Sequence, residues 1–473
     1  MRDAVREEGL DPQDWEEAQA VAHRMVDDAV AYLRGIGDGP CWRDPGPVED
    51  AFREGLPLGP TPLGEVYEEL GRSLMPYPMG NIHPRFWAWF MGAGHFTGAL
   101  ADFLAAVDGS NLGGGHTAPA LVDRQVVRWL REMVGFPEGA SGTLTNGGSA
   151  ANLVALTVAR NVKAAEAGVD VRAVGVAACP KPLRFYASEQ VHSCHQKALE
   201  VLGLGREALH LVATDAAQRI DLAALHSAVA EDRARGLQPA AVIASAGTVN
   251  TGDFDDFTAL AALKHQHGFY LHVDAAFGGF ASLSPELQPL LEGWTSADSI
   301  CVDLHKWLNV PHDAAVAFTR HRALQLDVFA NTASYLTLNL DTPEPIHLAP
   351  ESSHRWRALP AWFTLVAYGR DGYREIVERD CRLARRLGDR LAGERRFELL
   401  APVRLNVIAF ALRDQPERTA AFIDRLRDDG DTFVSPTQLW GRPAVRVALS
   451  NWQTTDEDVE RTWRAFTSAA EAL

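Results

Sequence analysis

The stretch SICVDLHKWLNVP, residues 299–311, decides how this 473-residue chain is interpreted, because a short apolar run leads directly into a lysine. The run SICV has the length and composition of a buried strand, which places Lys306 just beyond a strand end. Similar apolar runs occur at 241–246, 269–273 and 314–318, and stretches with helical periodicity separate them. This alternation predicts a mostly parallel α/β sheet with helices on both faces.

The segments on either side of this region differ from it. Residues 1–80 have helical periodicity but too little apolar surface for a core, so we expect this segment to pack on another domain or subunit. Residues 81–370 are expected to form the large domain, and residues 371–473 a small α+β domain. The further elements predicted are helices at 13–35, 62–74, 357–396, 416–428 and 456–470 and strands at 405–412, 432–434 and 445–449.

The composition excludes several classes of partner. A formal charge of −17 argues against nucleic acid and against an anionic membrane surface. We expect neither a signal peptide nor a membrane span, because no apolar run has the required position or length. The five cysteines lie far apart and form no C-x-x-C pair, which argues against a disulfide framework and favours the cytoplasm.

Lysine is scarce, so chemistry that requires a primary amine has few candidates. Lys306 follows a buried strand, whereas the other lysines have polar or helix-surface neighbours. Burial among apolar neighbours lowers the pKa of an amine, which predicts Lys306 as a Schiff-base nucleophile. A solvated surface lysine is the alternative. The five lysines are Lys163, Lys181, Lys197, Lys264 and Lys306.

Asp274 and a glycine-rich turn are further candidates. Asp274, in HVDAAFGG, follows the strand at 269–273 and should lie at the carboxyl edge of the sheet, where α/β proteins build their sites. It could pair there with a protonated pyridine nitrogen, or it could be a helix N-cap. In TNGGSAAN, Gly148 and Ser149 open a helix whose free N–H groups suit a phosphate.

Two histidines flank a cysteine in YASEQVHSCH. The spacing of His192, Cys194 and His195 is not that of a zinc site, so we predict no metal. We expect the imidazole of His192 to stack or to form a hydrogen bond in a site. The sequence assigns no role to His195.

In their order along the chain, TNGGSAAN, YASEQVHS, SAGTVNTGDFDD, HVDAAFGG and DLHKW resemble segments of the group II pyridoxal 5′-phosphate (PLP)-dependent decarboxylases. That family includes the aromatic-L-amino-acid, histidine and glutamate decarboxylases. The resemblance runs from about residue 60 to 370. It implies fold type I, the PLP-dependent transferase-like fold with a mainly parallel seven-stranded central sheet, and a homodimer with active sites at the interface.

The resemblance also implies roles for individual residues. Lys306 would bind PLP covalently, Asp274 would pair with its ring nitrogen, and His192 would stack on its ring. The other cofactor contacts that it implies are Gly148, Ser149, Thr248, Ala276 and His305.

The connection at residues 330–354 is long and weakly periodic, which is typical of a lid or of a disordered insert. By resemblance, Tyr335 lies where family members carry a tyrosine that is implicated in protonating the product. Family members with phenylalanine there tend toward oxidative deamination, so Tyr335 favours simple decarboxylation.

The segment NIHPRFWAWF resembles the family segment whose aromatic end faces the substrate, which makes Trp89 and Phe90 substrate-pocket candidates. Core packing of both aromatic residues is the alternative. Ser353 matches a position that carries glycine or serine in the family. A serine there favours a substrate whose ring is smaller than indole. His312-Asp313-Ala314 departs from the more usual Tyr-Asp-Cys and leaves the substrate open.

The resemblance therefore implies PLP-dependent decarboxylation of an L-amino acid, with an aromatic substrate expected, to the amine and carbon dioxide. Other reactions on the same scaffold remain alternatives: decarboxylation of an acidic or diamino acid, aldehyde synthesis and transamination. A non-catalytic paralogue is the alternative from a different class.

Overall fold

The computed structural model describes residues 12, 14–113, 115–331 and 338–473. The chain begins its regular structure with α1 (Trp15–Gly35) and α2 (Leu63–Glu69). The Asp14 carboxylate caps α1 by accepting hydrogen bonds from the N–H groups of Glu16 and Glu17. Val21 is the buried residue of α1, whereas Trp15 is 71% exposed. This first segment therefore contributes little to the core.

Helices and strands then alternate along the large central part of the chain. Its elements are α3 (Phe96–Asp108), α4 (Ala118–Met133), β1 (Ser141–Thr145), α5 (Gly148–Glu166), α6 (Val171–Val174), β2 (Leu183–Ser188), α7 (Cys194–Val201), β3 (Leu209–Val212), α8 (Leu222–Ala234), β4 (Gln238–Ser245), α9 (Phe257–His267), β5 (Tyr270–Asp274), β6 (Ser299–Asp303), β7 (Ala315–Thr319) and α10 (Arg322–Phe329).

Within the described residues, seven of these strands form one sheet in the order β1-β7-β6-β5-β4-β2-β3. The five strands from β6 to β3 in that order run parallel, and β7 is antiparallel to both β1 and β6. Strands β6 and β7 are buried along their whole length, as expected for a sheet covered on both faces. The predicted mainly parallel sheet is confirmed.

The carboxyl edge of this sheet gathers the chemically active residues. Asp274 ends β5 and is paired in register with Cys301 of the parallel neighbour β6, which ends two residues later at Asp303. Helix α5 begins at Gly148, just after β1, at the same edge. The strand order therefore brings together segments that are far apart in sequence.

A second, smaller sheet follows the long helix α11 (Ala358–Gly393), in which Gly369 breaks the helix with a φ of 63°. This sheet is antiparallel in the order β10-β11-β9-β8. Its core includes Leu387, Phe410, Phe466 and Trp87, the last from the NIHPRFWAWF segment. The elements after α11 are β8 (Phe397–Leu399), β9 (Val407–Leu412), α12 (Thr419–Asp429), β10 (Ser435–Leu439), β11 (Arg442–Ala448) and α13 (Asp456–Glu471).

The strand predicted at 432–434 is wrong. Phe433 forms an isolated bridge to Phe86, and the strand proper is Ser435–Leu439. That strand, SPTQL, contains a proline and polar residues because it lies at the sheet edge, and such a composition does not predict a strand. Of the described helices, none is long and apolar enough to cross a membrane.

Candidate active site

A cavity of about 610 Å³ opens at the carboxyl edge of the large sheet. Residues from both sheets and from the NIHPRFWAWF segment line it. Among them are nine of the residues predicted from the sequence: Trp89, Phe90, Gly148, Ser149, His192, Asp274, Ala276, His305 and Lys306.

Lys306 forms an ion pair with Asp303, whose Oδ2 lies 3.0 Å from Nζ. Burial alone would lower the pKa of Lys306, but the carboxylates of Asp303 and Asp274 outweigh burial and raise it above its ordinary value. The predicted lowering is therefore wrong for the chain without cofactor. The apolar neighbours seen in the sequence are only part of the surroundings, and Asp303 supplies the opposing charge.

The carboxylate of Asp274 accepts four hydrogen bonds. Oδ2 accepts from His195 Nε2 at 2.8 Å and from Asn152 Nδ2 at 3.1 Å. Oδ1 accepts from the Ala276 N–H at 3.1 Å and from the Cys301 thiol at 3.4 Å. Burial would raise the pKa of Asp274, but these donors and nearby positive charge hold it well below its usual range. Asp274 is therefore a carboxylate at neutral pH.

Asn152 links this carboxylate to a second histidine. Its Oδ1 accepts from His272 Nε2 at 2.7 Å, and Nδ1 of the same ring lies 2.8 Å from Ser299 Oγ. Burial lowers the pKa of His272 to about 3, so this ring is neutral. A neutral donor fixes the orientation of the Asn152 amide, which can then donate to Asp274.

Among the residues that the structure describes, Cys194, His195 and Asp274 are near enough to one another to suggest a metal. Burial raises the pKa of the Cys194 thiol to about 12, which opposes the thiolate form that a metal requires. His195 Nε2 is already engaged with Asp274. We therefore interpret the group as a hydrogen-bonded cluster.

The start of α5 suits an anion. Its N-cap, Gly147, has a φ of 152° and offers no side-chain cap, which leaves the first N–H groups of the helix free for a ligand. A Cβ on Gly148 would lie 2.9 Å from the Asp303 carboxylate, so a side chain there would close the turn. These features fit the phosphate of PLP, and Lys306 and Asp274 line the same cavity.

Two histidines of the cavity wall are held by backbone groups. His192 Nδ1 accepts from the Cys194 N–H at 3.2 Å, and His305 Nδ1 donates to the Ala314 carbonyl at 2.8 Å. Burial lowers the pKa of both rings below the ordinary value. Both are therefore neutral near pH 7, which suits stacking and hydrogen bonding better than charge pairing.

Trp89 and Phe90 stand at the other side of the cavity in an unusual conformation. Their φ angles are 54° and 84°, a region that bulky residues rarely adopt. The Phe90 ring lies 4.4 Å from that of Phe277, and the Trp89 ring lies 5.7 Å from that of Phe433. Aromatic packing thus holds a strained turn whose side chains face the cavity.

Two predicted residues, Thr248 and Ser353, do not line this cavity, and a third cannot be placed because it is not among the described residues. The Thr248 hydroxyl accepts from the Asp253 N–H at 3.0 Å and contacts Thr251, while the neighbours of Thr248 line the wall instead. Ser353 is exposed elsewhere and accepts a hydrogen bond from Asn111. Tyr335 lies outside the described residues.

Sequence reasoning missed Arg446, which is 8% exposed and lines the cavity from β11. Burial lowers its pKa to about 10, and no carboxylate of the described residues pairs with it. An arginine inside the apolar run AVRVAL was the available signal, since a buried charge requires a partner. Asp303, Asn152 and His312 were also missed as residues of the cavity wall.

Comparison with known proteins finds relatives along nearly the whole chain. An aromatic-L-amino-acid decarboxylase of Bacillus atrophaeus is 28% identical over 97% of this chain and 96% of its own. A phenylacetaldehyde synthase of Arabidopsis thaliana is 27% identical over 98% of each. The crystal structure of Oryza sativa TDC with PLP and tryptamine covers 98% of this chain and 99% of its own, with a TM-score of 0.91 and 24% identity.

The structural likeness confirms fold type I. The family model described as "Pyridoxal-dependent decarboxylase conserved domain" matches residues 45–413, which include the cavity residues named above except Arg446. The predicted cofactor, PLP, is thereby confirmed. The chain belongs to the pyridoxal-dependent decarboxylase family and is a PLP-dependent amino-acid decarboxylase, that is, a carboxy-lyase.

Proposed function

We propose that the substrate is an aromatic L-amino acid, which the enzyme converts to the amine and carbon dioxide. One observation carries this proposal: the cavity that holds Lys306 and Asp274 is bounded on another side by the rings of Trp89, Phe90 and Phe277. Aromatic walls favour an aromatic side chain through burial and ring packing. The similarity to the Bacillus atrophaeus aromatic-L-amino-acid decarboxylase supports the same substrate class.

We assign the residues of the cavity as follows. Lys306 would hold PLP covalently through Nζ, the Asp274 carboxylate would pair with the ring nitrogen, and His192 would stack on the ring. The start of α5 would hold the phosphate. The phosphate and ring contacts that complete this assignment are Gly148, Ser149, His305, Ala276 and Thr248, the last through the turn that its hydroxyl stabilises.

Bound PLP supplies an electron sink for the electrons that carbon dioxide leaves behind. The protein maintains Asp274 as a carboxylate, which would stabilise a proton on the ring nitrogen and so keep the cofactor effective. Trp89, Phe90 and His192 line the cavity and would orient the substrate for loss of its carboxylate. By its assigned role, Tyr335 would supply the proton that the product carbon receives.

A specific observation favours a second candidate, decarboxylation of an acidic amino acid. Arg446, whose guanidinium pairs with no carboxylate among the described residues, lines the cavity and would stabilise an anionic group there. Every amino acid brings a carboxylate, so Arg446 is compatible with an aromatic substrate. An acidic side chain would use the same charge.

The active unit in this proposal is a homodimer. The segment 1–80 exposes apolar side chains, among them Trp15, Leu58 and Val66, and a second copy of the chain would cover them. Ser353 is exposed outside the cavity, so it would serve the site of that second copy.

The large domain would comprise residues 81–370 and the small domain residues 371–473. The five cysteines are all unpaired, which agrees with a cytoplasmic enzyme.

The test is a substrate panel with purified protein saturated with PLP. Aromatic, acidic and diamino acids are supplied separately, and carbon dioxide, amine, aldehyde, ammonia and 2-oxo acid are quantified. We expect equal amounts of carbon dioxide and amine from at least one aromatic amino acid. Ammonia together with aldehyde would indicate the reaction named for the Arabidopsis thaliana relative, and turnover confined to acidic amino acids would refute the aromatic proposal.

A further inference from the structure

His195 is a fully buried residue that the proposed function leaves without a role. It lies in the first turn of α7, and its Nε2 is 2.8 Å from Oδ2 of Asp274. An ionised carboxylate can only accept, so the ring proton resides on Nε2 and is donated to Asp274. His195 does not line the cavity, so it acts on bound molecules only through Asp274.

This hydrogen bond is the only polar contact of the His195 side chain among the described residues. Nδ1 is buried without a hydrogen-bond partner, and the ring packs edge-on against His272 at 6.1 Å between centroids. A buried polar atom without a partner costs stability, and an apolar side chain of similar size would avoid that cost. An imidazole at this place is therefore explained by its bond to Asp274 rather than by packing.

The other donors to Asp274 cannot replace it. Asn152 donates to the same oxygen at a longer distance, 3.1 Å, and its orientation depends on His272. The Ala276 N–H and the Cys301 thiol bond the other oxygen. Without His195, Oδ2 would keep one donor and the carboxylate would be free to tilt toward it.

We propose that His195 is a positioning residue, which holds Oδ2 of Asp274 and keeps that carboxylate ionised and aimed at the ring nitrogen of PLP. The proposal rests on the role assigned to Asp274. It predicts that removal of the His195 donor weakens the hold of the protein on a protonated ring nitrogen while the remainder of the cofactor site is unchanged.

The test measures the binding of two cofactors to apoenzyme: PLP and its analogue in which a carbon replaces the ring nitrogen. H195L removes the donor and keeps a similar volume. We expect it to weaken PLP binding about tenfold, since one hydrogen bond to a charged group is lost, and to leave binding of the carbon analogue unchanged. H195Q, which keeps an N–H donor at a similar reach, should recover most of the affinity for PLP.

H95L is the matched control, because His95 is also buried, at 3% exposure, but does not contact Asp274. H95L should leave the ratio between the affinities for PLP and for the carbon analogue unchanged. A second readout is the nitrogen-15 NMR shift of PLP labelled in the ring, which should move toward the unprotonated value in H195L and not in H95L. If H195L is not recovered as folded protein, H195N replaces it, since the shorter amide does not reach Oδ2.

Equal weakening of both cofactors by H195L, or no weakening of either, would overturn the inference. D274N separates this failure from failure of the proposed site. If D274N discriminates between the two cofactors and H195L does not, only the role of His195 is refuted. If D274N does not discriminate, the assignment of Asp274 to the ring nitrogen fails with it.

Discussion

Asp303 and Lys306 form an ion pair, with 3.0 Å between Oδ2 and Nζ, in which the Asp303 side chain is 2% exposed and the Lys306 side chain 23%. The aspartate ends β6 and the lysine follows three residues later, so the strand end brings both groups to the cavity. This pairing reverses the effect of burial on the pKa of Lys306. In the chain without cofactor the amine is therefore stabilised as an ammonium ion.

Asp303→Asn is expected to lower the pKa of Lys306, because burial then acts against the ammonium with less opposing charge. At pH 8 the neutral amine fraction should rise, and with it the rate of reductive methylation of Lys306 in apoenzyme, measured by peptide mass spectrometry. Lys264, which pairs with Asp298 at 2.7 Å outside the cavity, is an internal control. An unchanged pH profile at Lys306 would contradict the ion-pair account.

Lys306→Ala should abolish the PLP adduct that borohydride fixes to the protein, since it removes the amine assigned to covalent attachment. Decarboxylation should fall by about a thousandfold or more. The mass of the reduced protein measures the first effect and carbon dioxide release the second. Lys264→Ala should leave both unchanged. A borohydride-stable adduct of normal yield in Lys306→Ala would place the attachment at another lysine.

The sequence predicted the parts of the site that local pattern determines. Lys306 and Asp274 each follow a short apolar strand, and the strand pattern alone places both at the carboxyl edge of one sheet. Gly148 is likewise placed at a helix start by a local pattern, the run TNGGSAAN. These predictions needed no knowledge of contacts between distant segments.

Contacts between distant segments account for most of what was missed. Arg446 reaches the cavity from the small sheet, and Asn152 reaches Asp274 from the buried face of α5. To predict the effect of Asp303 on the pKa of Lys306, the direction of the side chains at the strand end would have to be known. Thr248 lies in a motif that matches the family, yet it does not line the cavity. Its hydroxyl instead accepts a hydrogen bond from the Asp253 N–H and contacts Thr251 within the same turn.

Buried histidines should make the protein less stable in acid, and His95 offers a clean test. Burial lowers its pKa to about 4, from an ordinary value of 6.5. Because the unfolded chain binds the proton first, the stability contributed by this group is lost as the pH falls from about 6.5 toward 4. As the pH falls through that window, the free energy of unfolding of His95→Leu should therefore rise relative to that of the wild type by about 1.4 kcal/mol per pH unit.

The midpoint of urea unfolding, measured at pH 7 and pH 5 for both proteins, checks this expectation. His83 and His272, whose pKa values burial also lowers, are present in both proteins and cancel in the difference. Parallel pH profiles of the wild type and His95→Leu would show that His95 accepts a proton in the folded state as readily as in the unfolded chain.

Arg446→Gln should raise KM much more than it lowers kcat, because Arg446 has no assigned part in the reacting bond and, with no charged partner among the described residues, offers its charge to a bound anion. Loss of a charge-assisted hydrogen bond predicts an increase in KM of about tenfold to a hundredfold. Arg442→Gln is the matched control, since Arg442 lies on the same strand but pairs with Glu398 at 2.8 Å. Steady-state kinetics with aromatic and acidic substrates then distinguishes the two candidate functions.

A KM increase for every substrate indicates that Arg446 binds the common carboxylate, whereas an increase confined to acidic substrates indicates that it recognises their side chain. An unchanged KM for both would show that this buried charge serves the fold or the cofactor rather than the substrate.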